Sequence, residues 1–190
     1  MSRRAGIVFA CLGIVGVIAI AAVIVFVFRG PDTPPPPGTD AGIAIDPSAT
    51  DPVGVATSVM SAVYTWQPAV QDSPWDALHA QRGNLTGPMA TAAATPPDPA
   101  PQPIPEWSAW ARSGDIVTAV AQPDTSVYTD GTAAEMDGDT QATVALVIDR
   151  VVQHRSGEIT PFTGYTGAVD LERTDDGWKV ANYRLVSAGL

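Results

Sequence analysis

Residues 140–153 read TQATVALVIDRVVQ, and aliphatic side chains occupy both alternating sets of positions in this run. β-branched residues favour strands, and successive side chains of a strand point to opposite faces, so the run predicts a long strand with two largely apolar faces. Asp137 and Gly138 provide a turn before it, and Gly157 lies in a turn after it. The segment is therefore expected to be one strand of an antiparallel sheet.

Three further segments have the same β-branched character, namely residues 115–122, 162–173 and 178–186. Asp175, Asp176 and Gly177 form a turn between the last two segments. Gly164 and Gly167 lie inside residues 162–173 and predict a bulge or bend there, because glycine weakens a regular strand. The prediction is four consecutive antiparallel strands.

Helices are predicted ahead of the strands. Asp51 as N-cap and Pro52 at the first helical position favour a helix start, and apolar residues then recur at helical spacing until Pro68. Ser73 and Asp76 resemble a capping box at the start of a second helix. Helices followed by consecutive strands are typical of an α+β domain, so we expect two or three helices packed on a curved four-stranded antiparallel sheet.

The part of the chain before this domain is predicted to be an anchor and a tether. Residues 5–28 form an uninterrupted apolar run of 24 residues, long enough for a helix of roughly 36 Å across a hydrocarbon core of about 30 Å. Two arginines within residues 1–4 predict a cytoplasmic tail. Residues 29–51 are rich in Pro, Gly and Asp, which predicts a tether. Residues 52–190 are then an extracytoplasmic domain at the plasma membrane.

Charge and cysteine content limit the partners and the means of stabilisation. The chain has 20 acidic and 10 basic residues, a formal net charge of −10, so binding to nucleic acid is disfavoured. The one cysteine, Cys11, lies in the predicted membrane helix, so a packed core and not a disulfide must stabilise the domain. Gly6 and Ala10 are four apart on that helix, a spacing that allows self-association as a homo-oligomer.

The order of helices and strands resembles the nuclear transport factor 2-like fold, a cone of helices against a strongly bent antiparallel sheet. The ending DGWKV, residues 176–180, is similar to the usual last strand of that fold. The resemblance covers roughly residues 52–190. It implies that the helices cover one face of the sheet.

The whole chain resembles two groups of bacterial envelope proteins. One is the bitopic inner-membrane scaffold component of conjugation and type IV secretion systems, and the other is the membrane-associated proteins of actinobacterial lipid importers of the mammalian-cell-entry type. The resemblance implies a non-enzymatic structural or interaction subunit whose partners are other envelope-complex proteins. Of the two, the conjugation or secretion scaffold is favoured. The abundance of Ala, Pro and Asp in residues 66–110 indicates an actinobacterial source.

The rival interpretation is a cone-shaped pocket that binds a small molecule or catalyses a reaction. Enzymes of the fold that this chain resembles place a carboxylate base and a phenol or second acid in the cone. The candidates here are Asp149, Asp170, Tyr165 and Tyr183. Aspartate on the solvated face of a strand is the commoner explanation, so we assign no catalytic residue and do not expect an enzyme.

Metal and cofactor chemistry has little support in the sequence. His79 and His154 are the only histidines, and the one cysteine lies far from both. Four acidic residues lie close together, namely Asp130, Glu135, Asp137 and Asp139. Their spacing does not match a calcium-binding EF-hand loop. We therefore expect a solvated acidic hairpin, with no metal site and no cofactor.

Aromatic residues are the remaining candidates for a functional surface. Trp107 and Trp110 are three apart, as on one face of a helix, and could line a pocket mouth or a partner surface. Tyr165 and Tyr183 are candidates for the same surface. The alternative is that three or four of the five tryptophans fill the core between helices and sheet.

Overall fold

The computed structural model describes residues 51–99 and 104–187, so the predicted tail, membrane helix and nearly all of the tether lie outside the described residues. The helices are α1 (Pro52–Tyr64), α2 (Pro74–Ala80), α3 (Gly87–Ala94) and α4 (Trp107–Ser113), with a 3₁₀ turn at Arg82–Asn84. The strands are β1 (Ile116–Pro123), β2 (Ala134–Asp137), β3 (Gln141–Gln153), β4 (Ile159–Thr174) and β5 (Gly177–Ser187). Within these residues, no helix combines the length and the hydropathy that a bilayer span requires.

The first two helices begin where the sequence predicts, because side chains satisfy their first backbone amides. The Asp51 carboxylate accepts hydrogen bonds from two amides in the first turn of α1, at 3.1 and 3.0 Å. At α2, the Ser73 hydroxyl accepts from the Trp75 amide at 3.2 Å, and Asp76 accepts from the Ser73 amide at 3.0 Å. The predicted N-cap and the predicted capping box are both confirmed.

Strand β3 pairs with three other strands. Along one edge it pairs with β2 through residues 141–144 and with β1 through residues 146–153, and along the other edge it pairs with β4. β4 pairs in turn with β5, and every pair is antiparallel. The helices pack on this sheet, so the domain is α+β.

The described sheet has five strands, so the prediction of four is wrong. The additional strand, Ala134–Asp137, has four residues and no β-branched side chain, so strand propensity gives no signal for it. The predicted bulge near Gly164 is confirmed, because the register of β3 and β4 shifts between Ile148 and Arg150. A second shift follows Asp170 in the pairing of β4 and β5. Bulges of this kind bend the strands that contain them.

Two apolar clusters fill the space between helices and sheet. The larger joins α1 and α3 to the sheet, and its most deeply buried side chains include Met60, Leu146, Ile148, Leu171 and Val180. The smaller contains Trp66, Trp107, Trp110, Val117 and Val152. Trp178 belongs to the larger cluster, so four of the five tryptophans are buried, as the core interpretation predicts.

Side chains of Ser61 in α1 and of Thr65, which directly follows α1, also satisfy amides along the free edge of β1. The Ser61 hydroxyl accepts a hydrogen bond from the Ala121 amide at 2.9 Å, and the Thr65 hydroxyl accepts from the Ala119 amide at 3.0 Å. The Val117 amide on the same edge donates to a backbone carbonyl just after α1, at 3.0 Å. Unpaired strand edges are templates for aggregation. Helix α1 therefore both covers the core and closes this edge.

Replacing both hydroxyls, as Ser61→Ala with Thr65→Val, should lower the free energy of unfolding by about 1–3 kcal/mol for each amide that loses its acceptor. The measurement is urea denaturation of the full chain in detergent, followed by tryptophan fluorescence. Thr57→Val is the matched control, because the Thr57 hydroxyl donates only within α1, at 2.9 and 3.0 Å. The control should change stability by less than about 0.5 kcal/mol. Equal losses in the double variant and the control would contradict the role given to α1.

Candidate functional site

Three tyrosines meet on the inner, helix-covered face of the sheet. The ring centroid of Tyr64, at the end of α1, lies 5.1 Å from that of Tyr165 on β4 and 6.3 Å from that of Tyr183 on β5. Burial raises the pKa of Tyr64 above its ordinary value, and the neighbouring Tyr183 and Tyr165 add to the shift. Tyr64 is therefore a neutral phenol at physiological pH. The structure thus brings two predicted site residues, Tyr165 and Tyr183, to the same place.

Arg150 lies beside these tyrosines and is only 4% exposed. Its Nε donates to the backbone oxygen of Thr163 at 2.6 Å, and its Nη2 donates to the Tyr165 hydroxyl at 3.0 Å. Its Nη1 is buried and has no hydrogen-bond partner among the described residues. No ion pair within the described residues includes Arg150. Arg150 is therefore a buried cation without a counter-charge in this part of the chain.

Four aromatic rings surround this guanidinium, and we call them the aromatic box. The guanidinium carbon lies 4.4 Å from the ring centroid of Phe162, 4.5 Å from Tyr165, 4.9 Å from Trp66 and 5.7 Å from Tyr64. Aromatic faces carry partial negative charge and attract cations. Burial lowers the pKa of Arg150, whereas Tyr165 and Tyr64 raise it, and a guanidinium stays charged at neutral pH.

The predicted acidic candidates do not join the tyrosines. Asp149 follows the buried Ile148 on β3, and Asp170 precedes the buried Leu171 on β4. Because side chains alternate along a strand, both aspartates point to the outer face of the sheet. Asp170 accepts two hydrogen bonds from the Arg184 guanidinium, at 2.6 and 3.1 Å. The carboxylate and phenol candidates are thus on opposite faces.

An open groove of about 570 Å³ lies at one end of the sheet, with walls from β2, β3, β4, β5 and the start of α3. Its acidic lining residues are Glu135, Asp137, Asp170 and Glu172. The other two acidic residues of the predicted hairpin lie in loops, where Asp130 accepts from the Thr132 amide at 3.0 Å and Asp139 is in the turn before β3. In the residues that the structure describes, no three acidic, histidine or cysteine side chains are grouped to hold a metal ion.

Trp107 and Trp110 are core side chains in this structure. Their exposed fractions are 5% and 8%. The ring of Trp107 lies 5.8 Å from that of Trp66, and the ring of Trp110 lies 5.2 Å from that of Phe162, measured between centroids. They therefore pack against Trp66 and Phe162, two members of the aromatic box.

Asp115, His154 and Thr160 form a second polar group. His154 Nδ1 lies 2.9 Å from the Asp115 carboxylate, and Nε2 lies 3.0 Å from the Thr160 hydroxyl. A carboxylate can only accept, so Nδ1 carries the proton. Asp115 also accepts from the Arg155 amide at 3.3 Å. Acid, imidazole and hydroxyl follow each other as in hydrolase triads. Here they tie the start of β1 to the β3–β4 hairpin, and we assign them a structural role.

No protein-family model matches the chain, and no curated protein matches it. One solved structure to which it is similar is the intermembrane-space region of the chloroplast protein ARC6. The two are 14% identical, the match covers 72% of this chain and 97% of that chain, and the TM-score is 0.37. A likeness of this degree says nothing about function.

Arg150 is the main site residue that the sequence prediction omits. A signal for it exists in β3, where every second residue points inward. The inward positions in this part of β3 are Val144, Leu146, Ile148, Arg150 and Val152. A cation at an inward position among buried aliphatic residues indicates a special environment. The sequence does not say that four rings, from residues 64–66 and from residues 162–165 of β4, supply it.

Asp115→Asn should reduce the dependence of stability on acidic pH. Hydrogen bonds from the Ser113 hydroxyl, the His154 ring and the Arg155 amide hold the pKa of Asp115 below its ordinary value, despite its burial. The ionised carboxylate therefore stabilises the fold above the ordinary aspartate pKa of about 3.9, and this contribution is lost as pH falls through the lowered folded-state pKa.

The measurement is the Tm of the full chain in detergent between about pH 7 and pH 3, a range that brackets the ordinary aspartate pKa. The Tm of the wild type should exceed that of the variant near neutral pH, and the difference should shrink toward pH 3. Asp139→Asn, in the exposed turn before β3, is the control and should leave the profile unchanged. A constant difference across the range would show that Asp115 acts without its charge.

Proposed function

We propose that this chain is a membrane-anchored structural or interaction subunit of a bacterial envelope complex, with a nuclear transport factor 2-like domain outside the cytoplasm. The apolar run of residues 5–28 and the arginines before it support the anchor and its orientation. Helices on one face of a bulged antiparallel sheet support the cone-like assignment.

The observation that carries this proposal is the deeply buried apolar core of the described domain, together with the separation of its acids from its phenols. Met60, Leu146, Ile148 and Leu171 are less than 2% exposed between helices and sheet. The carboxylates that an enzyme of this kind would use lie on the other face, where Asp170 is neutralised by Arg184. An apolar core with acids and phenols on opposite faces of the sheet supports a role in protein contacts over acid–base catalysis.

Within that class, we propose a scaffold component of a conjugation or type IV secretion system. The alternative is an accessory protein of a mammalian-cell-entry-type lipid importer. The genes beside this one distinguish the two proposals. A coupling ATPase and a relaxase support the first, and importer permeases with substrate-binding proteins support the second.

Membrane topology can be tested with single cysteines in a Cys11→Ala background, because Cys11 is the only native cysteine. Val70→Cys places a thiol at a position that is 78% exposed. An impermeant maleimide should label it in intact spheroplasts. Ser2→Cys, in the predicted inner tail, is the control and should be labelled only after membrane disruption. The reverse pattern, or mature protein that begins after Phe28, would refute the anchor and its orientation.

Assembly can be tested by purifying the tagged full chain from native membranes in mild detergent. It should elute in a large complex with other envelope proteins. Val186 is 65% exposed on β5, and Val186→Asp should reduce recovery of those proteins if the sheet contacts them. Val70→Asp adds the same charge at an exposed loop position and should not reduce it. Recovery of a strictly monomeric chain would overturn the proposal.

A further inference from the structure

The unused hydrogen-bond donors of Arg150 are the starting observation. A guanidinium has five N–H donors in one plane. One of them, on Nε, goes to Thr163, and one on Nη2 goes to Tyr165. Among the described residues, the two donors of Nη1 and one donor of Nη2 have no hydrogen-bond partner. The outer edge of the fork is formed by one N–H of each Nη atom. That edge matches the two oxygens of a carboxylate.

Arg150 also has no counter-charge among the described residues, which again indicates a bound anion. Buried charges are ordinarily paired, because an unpaired ion in a low-dielectric site is costly. Asp149 is adjacent to Arg150 in sequence but points to the opposite face of the sheet. The neighbouring Tyr64 and Tyr165 are phenols, and burial disfavours the charged form of Tyr64. The described residues therefore supply hydrogen-bond acceptors and aromatic faces to Arg150, but no anion.

The aromatic box is partly exposed to solvent, although Arg150 itself is buried. Three members of the aromatic box, Tyr64, Phe162 and Tyr165, are only partly buried, whereas Trp66 is 6% exposed. Binding of a ligand at the guanidinium edge therefore requires one of these partly buried rings to rotate aside. The surfaces exposed by that rotation are aromatic carbon, which favours an apolar group beside the anion.

The geometry points to Arg150 as the anchor of a binding site for a small organic anion, a carboxylate with a short apolar body. The guanidinium edge binds the carboxylate, and the aromatic box surrounds the apolar body. This site goes beyond the proposed envelope-complex role. Binding of the anion and recovery in a complex are measured separately, so either can fail alone.

Hexanoate is the probe for the full chain in detergent, with hexan-1-ol and hexylammonium as controls of equal chain length. Tryptophan fluorescence reports binding, because Trp66 contacts the guanidinium, and the Tm reports coupling to folding. Hexanoate should bind saturably at millimolar concentrations and raise the Tm. The alcohol and the amine should do neither. This comparison uses the wild type alone, so it decides the proposal even if a variant at Arg150 fails to fold.

Arg150→Met removes the charge but keeps a long side chain, and it should weaken hexanoate binding about tenfold or more. Arg150→Lys keeps the charge without the planar fork and should bind with intermediate affinity. Arg184→Met removes one positive charge from the outer face, where the Arg184 side chain is 63% exposed, and should bind like the wild type.

Three results would overturn the proposal. They are no saturable binding of hexanoate to the folded wild type, equal binding of hexanoate and hexan-1-ol, and undiminished binding by a folded Arg150→Met variant. The second result would indicate an apolar crevice without an anion anchor. The third would place the anion on another cation of the domain.

Discussion

The alternation of side chains along β3 is the constraint on which the rest of the domain depends. β3 pairs with β1, β2 and β4, so its register sets which face every neighbouring strand presents to the helices. Its inward residues belong to both apolar clusters, with Leu146 and Ile148 in the larger and Val152 in the smaller. Arg150 lies between them. A slip of one residue would bury Asp149 and expose this whole row.

Helix α1 makes that register stable. Its buried residues, among them Val59 and Met60, cover the inward row of β3, and each fully buried side chain of this size contributes about 1.5–3 kcal/mol. Ser61 of this helix and Thr65 directly after it satisfy amides at the edge of β1. Since the described domain contains no cysteine, this packing and these hydrogen bonds stabilise it without a disulfide.

The features that could be predicted from the sequence are those that depend on residues close together along the chain. Asp51 and the Ser73–Asp76 box act within one helical turn, and the long strands follow from β-branched composition. β2 escaped prediction because its pairing with β3 comes from tertiary structure and not from propensity. The site was half predictable: Tyr165 and Tyr183 carry a chemical signal, but their meeting with Tyr64 depends on how α1 crosses the sheet. Arg150 was visible only as an exception to the alternation.

The aromatic box explains how the fold tolerates a buried Arg150. It does not explain what advantage the buried charge gives the protein. Cation–π contacts contribute about 0.5–2 kcal/mol each, depending on desolvation, whereas the effective cost of burying an ion is several kcal/mol. Aromatic rings accept N–H hydrogen bonds only weakly, so they attract the positive charge without satisfying Nη1. A methionine or leucine at this position would fill the same space at no such cost. Packing alone therefore does not account for an arginine at position 150. Binding of an anion at the edge of its guanidinium does account for it.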